Sequence, residues 1–190
     1  MGKNYKKGGL IIIPINPGGG NETSENRNAG DSFLYPIIHA FKEQKEDPIN
    51  FYWNEFVPNF KKAKMTYPIY QKMLPILDSA KSNLDDICYF NFLPYRGRGN
   101  KYPTTKRDML DIIPNCITKF VEPTLKFLKP SLVVTFGKQV DIYIDEFWNK
   151  FQYNRVSWNR ERAPRPSVLK DRAKSLFLIK SWSKNFITKT

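Results

Sequence analysis

Cysteine, histidine, acid and long apolar runs are all scarce in this sequence, and each scarcity closes off a class of protein. Two cysteines, Cys88 and Cys116, stand in 190 residues. They are too few for a disulfide framework or a four-thiolate cluster. Both lie among apolar neighbours, which suits small buried side chains. The single histidine, His39, falls in a predicted helix and reads as a packed or surface residue rather than a catalyst. No apolar run approaches the ~20 residues of a membrane span. The basic opening MGKNYKKGG is followed by only a short apolar run, with no small-residue cleavage site. The expectation is a soluble, cytoplasmic protein. Acid is outnumbered, with 18 Asp and Glu against 31 Lys and Arg, a formal charge of +13. Such a balance favours a polyanion. Arginine and aromatics accompany the lysines throughout, which puts nucleic acid ahead of an acidic membrane. The 41% hydrophobic content fits a globular chain, and no repeat or low-complexity segment divides it. One domain over residues 1–190 is expected.

Residues 10–14, LIIIP, read as a buried strand, and residues 18–31 as a polar, glycine-rich loop. SFLYPIIHAFKEQ carries Phe33, Leu34, Ile37, Ile38 and Phe41 at helical spacing, entered through Asp31 or Ser32 as N-cap. Residues 48–82 are helical or irregular and rich in aromatics, with core packing as the default explanation. Residues 85–94 read as a second strand and 95–108 as a loop dense in Arg, Gly and Pro. A helix bent by two prolines covers 108–128, a third strand 131–137, and a helix 138–151. A basic loop over 152–174 and a fourth strand over 175–180 complete the pattern. Strands alternating with helices imply an α/β three-layer sandwich, its four-stranded, mostly parallel sheet flanked by helices. Ligands of such sheets bind beyond the carboxyl ends of the strands. The loops NPGGGN, NFLPYRGRGN and SWSKN are all expected at that edge.

These loops, in this order, resemble the uracil-DNA glycosylase superfamily. PINPGG is similar to its first motif in the form the mismatch-specific class carries. YFNFLPYRGRGNKYP resembles the second-strand segment of the iron–sulfur class. CITKFVEPTLKFLKPSLVVTFGKQV is similar to the helix–strand–helix that follows. The resemblance covers most of residues 10–145, and the ordered set is its specific feature. Departures are plain. The place of the usual His-Pro-Ser or Asn-Pro-Ser holds Ser181-Trp182-Ser183. Only Cys116 falls at one of the four cysteine positions of the iron–sulfur class, so no cluster, no metal and no cofactor are expected. The stretch that usually supplies a stacking aromatic, NETSENRNAGD, has none.

The resemblance assigns roles residue by residue. A glycosylase must extrude a nucleotide, recognise its base and help the glycosidic bond break. Asn16 would orient the attacking water near an oxocarbenium-like centre. Its flanking prolines have fixed φ and would stiffen the turn. Asn-Pro-Gly is otherwise simply a turn. Asp31 is either a general base or the helix cap. Ile15, Gly18, Phe33 and Asn91 would form the base-binding side, Phe33 being either the stacking ring or a helix core residue. Asn91 presents a donor and an acceptor side by side, which suits a pyrimidine edge, whether uracil or cytosine. It could equally cap the turn after its strand. Arg96, Arg98, Asn100 and Lys101 would meet DNA, with Arg155 to Arg172 adding to the phosphate-binding rim. Ser181, Ser183 and Lys184 would contact phosphates. Trp182 either wedges into the base stack or anchors the chain end. With no catalytic His and no stacking aromatic, the expected base is a larger or modified pyrimidine, including phage-type cytosines, in repair or defence. The expected partner is DNA, engaged by a monomer. A catalytically inactive nucleic-acid binder of the same fold is the alternative. A hydrolase of small nucleosides is disfavoured by the basic, aromatic surface.

Overall fold

A computed structural model describes residues 2–15, 43, 68–93, 106–158 and 166–187. The glycine-rich loop 18–31, the helix expected after it apart from Glu43, the aromatic stretch up to Tyr67 and the loop 95–105 lie outside the described residues. The chain divides into two compact units, Met1–Pro17 with Pro75–Thr190, and Gly18–Leu74.

In the first unit, β1 (Leu10–Pro14) is buried along its whole length. Branched apolar residues on both faces mark a central parallel strand. β3 (Leu132–Phe136) pairs beside it in parallel, from Leu10 with Leu132 to Pro14 with Phe136. β2 (Cys88–Tyr89) flanks β1 on the other side. Its pairing continues beyond Tyr89, as Phe92 N–H donates to Pro14 O at 2.7 Å and Leu93 N–H to Ile15 O at 2.7 Å. β4 (Asn154–Trp158) pairs with β3. The order is β2-β1-β3-β4, all parallel.

Helices cover both faces. α1 (Pro68–Ala80) precedes β2. α2 (Lys106–Cys116) runs through a π-helical turn (Ile117–Val121) into α3 (Glu122–Leu128). With α4 (Lys138–Trp148) these bury Ile113, Ile117, Val121, Leu125, Val140 and Ile144 in one core with Ile11, Ile13 and Val133 of the sheet. The prolines expected to bend this stretch leave it helical. Pro123 has no N–H for the carbonyl one α-turn back, and the chain shifts register, Glu122 N–H donating to Ile117 O. α3 stops at Lys129, which takes a left-handed conformation at φ 46° and donates its N–H to Leu125 O at 2.8 Å. On the other face, α5 (Pro166–Ile187) packs against β4. Arg172 lies over the Trp158 ring at 5.6 Å, and Ser175 Oγ donates to Ser157 O at 2.8 Å.

Two expectations need correction. Residues 175–180 are not a strand but the middle of α5. SLFLIK is a short apolar run that suits either structure. Its burial follows a helix: Ser175, Ile179 and Ser183 point inward, four residues apart, while Phe177 and Leu178 point out. The fourth strand is NRVSW, inside the stretch expected as a basic loop over 152–174. Only Val156 and Trp158 in it are buried, so it alternates as a half-covered edge strand does, with polar residues hiding the signal.

Candidate functional site

The strand order reverses between β1 and β3, since β1 leads to β2 on one side and β3 to β4 on the other. The crevice at such a point, outside the carboxyl ends, is where α/β sheets bind ligands. Ile15 follows β1 here and is 2% exposed. Gly137 follows β3 at φ 115° and ψ 140°, a region that side chains disfavour. Its N–H donates to Trp158 O at 2.8 Å, joining the ends of β3 and β4.

Asn91 completes this edge. The backbone bonds from Phe92 and Leu93 to Pro14 and Ile15 set it beside the exit of β1. Phe92 and Leu93 are fully buried, whereas Asn91 is half-buried. Its Oδ1 is buried and has no hydrogen-bond partner among the described residues. An amide oxygen held out of water this way costs about 1–3 kcal/mol until a donor meets it. The structure thus brings Ile15 and Asn91 together. Asn16, Gly18, Asp31, Phe33, Arg96, Arg98, Asn100 and Lys101 lie outside the described residues.

Ser181 to Lys184 are not at this edge. They belong to the last turns of α5, whose end meets the opposite, amino-terminal edge of the sheet. Trp182 Nε1–H donates to Ser131 Oγ at 2.7 Å, and the ring stacks on Phe186 at 5.0 Å. Ser131 precedes β3 and in turn donates to Gly8 O, just before β1. Ser183, 2% exposed, donates to Ala80 O at 2.7 Å and so closes the end of α1. Four residues of strand rise separate the two edges, about 13 Å. Trp182 is the anchor of the pair of roles open to it, and Ser183 is sealed from phosphates. The misread strand put these residues at the wrong end. β4 ends at the carboxyl edge with Trp158, and residues 159–165, NRERAPR, lie outside the described residues.

Sequence reasoning also passed over a polar cluster under this edge. Thr135, fully buried in β3, donates to the Asp141 carboxylate in the first turn of α4. Arg155 pairs with Asp145 and lies over the Trp148 ring at 5.2 Å. Burial raises the Asp141 pKa, opposed by hydrogen bonds from Thr135 and Ser157 and by the charge of Arg155. The cluster ties α4 to β3 and β4. In the sequence it shows only as a threonine in an apolar strand and an aspartate six positions on, which nothing local links.

Cys88 and Cys116 are buried, free thiols, and burial raises the pKa of each. Neither is poised as a nucleophile. Among the described residues no three His, Cys, Asp or Glu gather as metal ligands, and no helix is long and apolar enough to cross a membrane. An open recess of about 460 Å³ lies elsewhere, along β2 and α3. Cys88, Phe90, Phe120, Pro123, Phe127 and Leu128 give it a mostly apolar wall, to which Tyr89 and Thr124 add hydroxyls, that of Thr124 donating to Phe120 O at 2.7 Å. Compared with known proteins, the chain matches no family model and no curated sequence.

Proposed function

We propose that this protein is a DNA glycosylase that flips a modified or damaged pyrimidine out of DNA and hydrolyses its N-glycosidic bond. The observation that carries this reading is the Asn91 Oδ1, buried beside Ile15 at the carboxyl edge of β1 with no hydrogen-bond partner among the described residues. An acceptor there takes the N3–H of uracil or the exocyclic amine of cytosine, with the amide nitrogen donating to uracil O4 or cytosine N3. The ordered resemblance and the α/β sheet support it, since β1 ends at this same edge with Pro14 and Ile15, and Asn16 comes next in the sequence. Asn16 then orients the water, and the basic segments 95–101 and 159–165 bind phosphates. Modified cytosines of phage type are the favoured substrates, which would make this a defence enzyme. The test is incubation with duplexes carrying uracil, hydroxymethylcytosine or glucosylated cytosine, then alkali to cleave abasic sites. Strand breaks lost in Asn16→Ala support the reading. Intact strands across the panel reject it.

A second reading, a binder that keeps the fold without the chemistry, is favoured by one observation. The segment in place of the superfamily's His-Pro-Ser is built into α5 at the other edge. Salt-dependent DNA binding with no abasic product would select it.

A further inference from the structure

The outer face of α5 belongs to neither the core nor the carboxyl edge. The helix carries five cations, Lys170, Arg172, Lys174, Lys180 and Lys184, against one acid, Asp171. Val168, Ser175, Ile179 and Ser183 form its buried stripe. On the far side Phe177 is 72% exposed, flanked by Leu169 at 53% and Leu178 at 44%. At 3.6 residues per turn, Lys170, Phe177 and Lys184 fall on one line, neighbours about 10 Å apart. Lys180 lies to one side of that line and Lys174 to the other, and both are exposed. An exposed phenylalanine thus sits inside a ring of lysines.

Cations and apolar groups interleave on this face. A helix lying on a lipid surface instead separates them into two faces. A single nucleic-acid strand alternates charged backbone with flat apolar bases, and stacking on an aromatic is tolerant of sequence. We propose that the outer face of α5 binds single-stranded nucleic acid, a base stacking on Phe177 and phosphates meeting Lys170, Lys174 and Lys180. This face is a second contact, separate from the site proposed at the carboxyl edge, and it does not depend on base excision there.

The test uses the full chain and a fluorescent oligothymidylate of about 20 nucleotides, followed by anisotropy across a salt series. Phe177→Ala should weaken binding about tenfold, while Phe177→Trp keeps it. Changing Lys170, Lys174 and Lys180 to Gln together should lower the slope of log K against log salt by about 2, at about 0.7 per phosphate contact. All these side chains are exposed, so unchanged circular dichroism is expected. Phe177→Ala should still make abasic sites if the parent does, and Asn16→Ala should still bind the oligonucleotide. Oligonucleotide binding unchanged in both the Phe177→Ala and the triple variant overturns the proposal. So does loss of binding to phosphatidylserine vesicles in Phe177→Ala with oligonucleotide binding retained.

Discussion

Replacing Asn91 with leucine should make the protein more stable and stop it working. The two side chains have nearly the same size and branching. In the folded chain Asn91 keeps its Oδ1 out of water with no partner among the described residues. Removing a stranded acceptor recovers part of the roughly 1–3 kcal/mol that its desolvation costs. Asn91 is only half-buried, so the lower end applies, about 1 kcal/mol. For a chain of this size that is a rise in Tm of about 2–4 °C. Excision should meanwhile fall on the order of 10²-fold, the scale of losing one preorganised polar contact to the reacting group. Calorimetry and the alkali-cleavage assay are run on the same preparation. A lower Tm in Asn91→Leu would refute the reasoning, because the amide would then be satisfied in the folded chain as an ordinary strand-end cap. Unchanged excision would remove Asn91 from the site.

Trp182→Ala should cost about 3 kcal/mol by urea unfolding, since it removes a stacked ring and its bond to Ser131. Excision per folded molecule should stay the same, and a selective loss of activity would return Trp182 to the DNA. Lys129→Gly should raise stability by about 0.5–1 kcal/mol, because glycine takes φ 46° without a side-chain clash; an unchanged midpoint would mean the cap is not strained. The raised Asp141 pKa means the folded state binds its proton more tightly than the unfolded chain. That contribution is present below the unfolded value near 4 and is lost as pH rises through the folded one. Between those limits, denaturation midpoints of the parent should therefore fall relative to those of Asp141→Asn as pH rises, and a relative increase would contradict the assignment.

Legibility along the chain followed how much burial each element carries. LIIIP and LVVTF are buried on every residue, and their apolar runs gave the central strands directly. NRVSW was not legible, because an edge strand buries one face and here shows the other as Asn, Arg and Ser. SLFLIK misled for the converse reason, since half its apolar residues face outward on a helix. That one exchange moved Ser181 to Lys184 from one edge of the sheet to the other. Asn91 was legible as an amide ending an apolar run, with reading a base and capping the next turn both open to it, and its buried oxygen was not. The Thr135–Asp141 bond was not, because it joins a strand to the next helix across a glycine turn that local patterns do not span.

The π-helical turn also sets an angular phase for the whole stretch from α2 to α3. Ile113, Ile117, Val121 and Leu125 are all buried, and each follows the last by four residues. On an α-helix every step of four overshoots a full turn by about 40°, so three such steps would carry the stripe about 120° around the axis. The wider turn at Ile117–Val121 winds more slowly and keeps all four side chains on one side. That segment therefore holds one residue more than an ordinary helix presenting the same buried stripe. Deleting one residue there would restore ordinary winding with the four side chains spaced by four, three and four, within about 20° of closing on three turns, so the buried stripe would stay on the core.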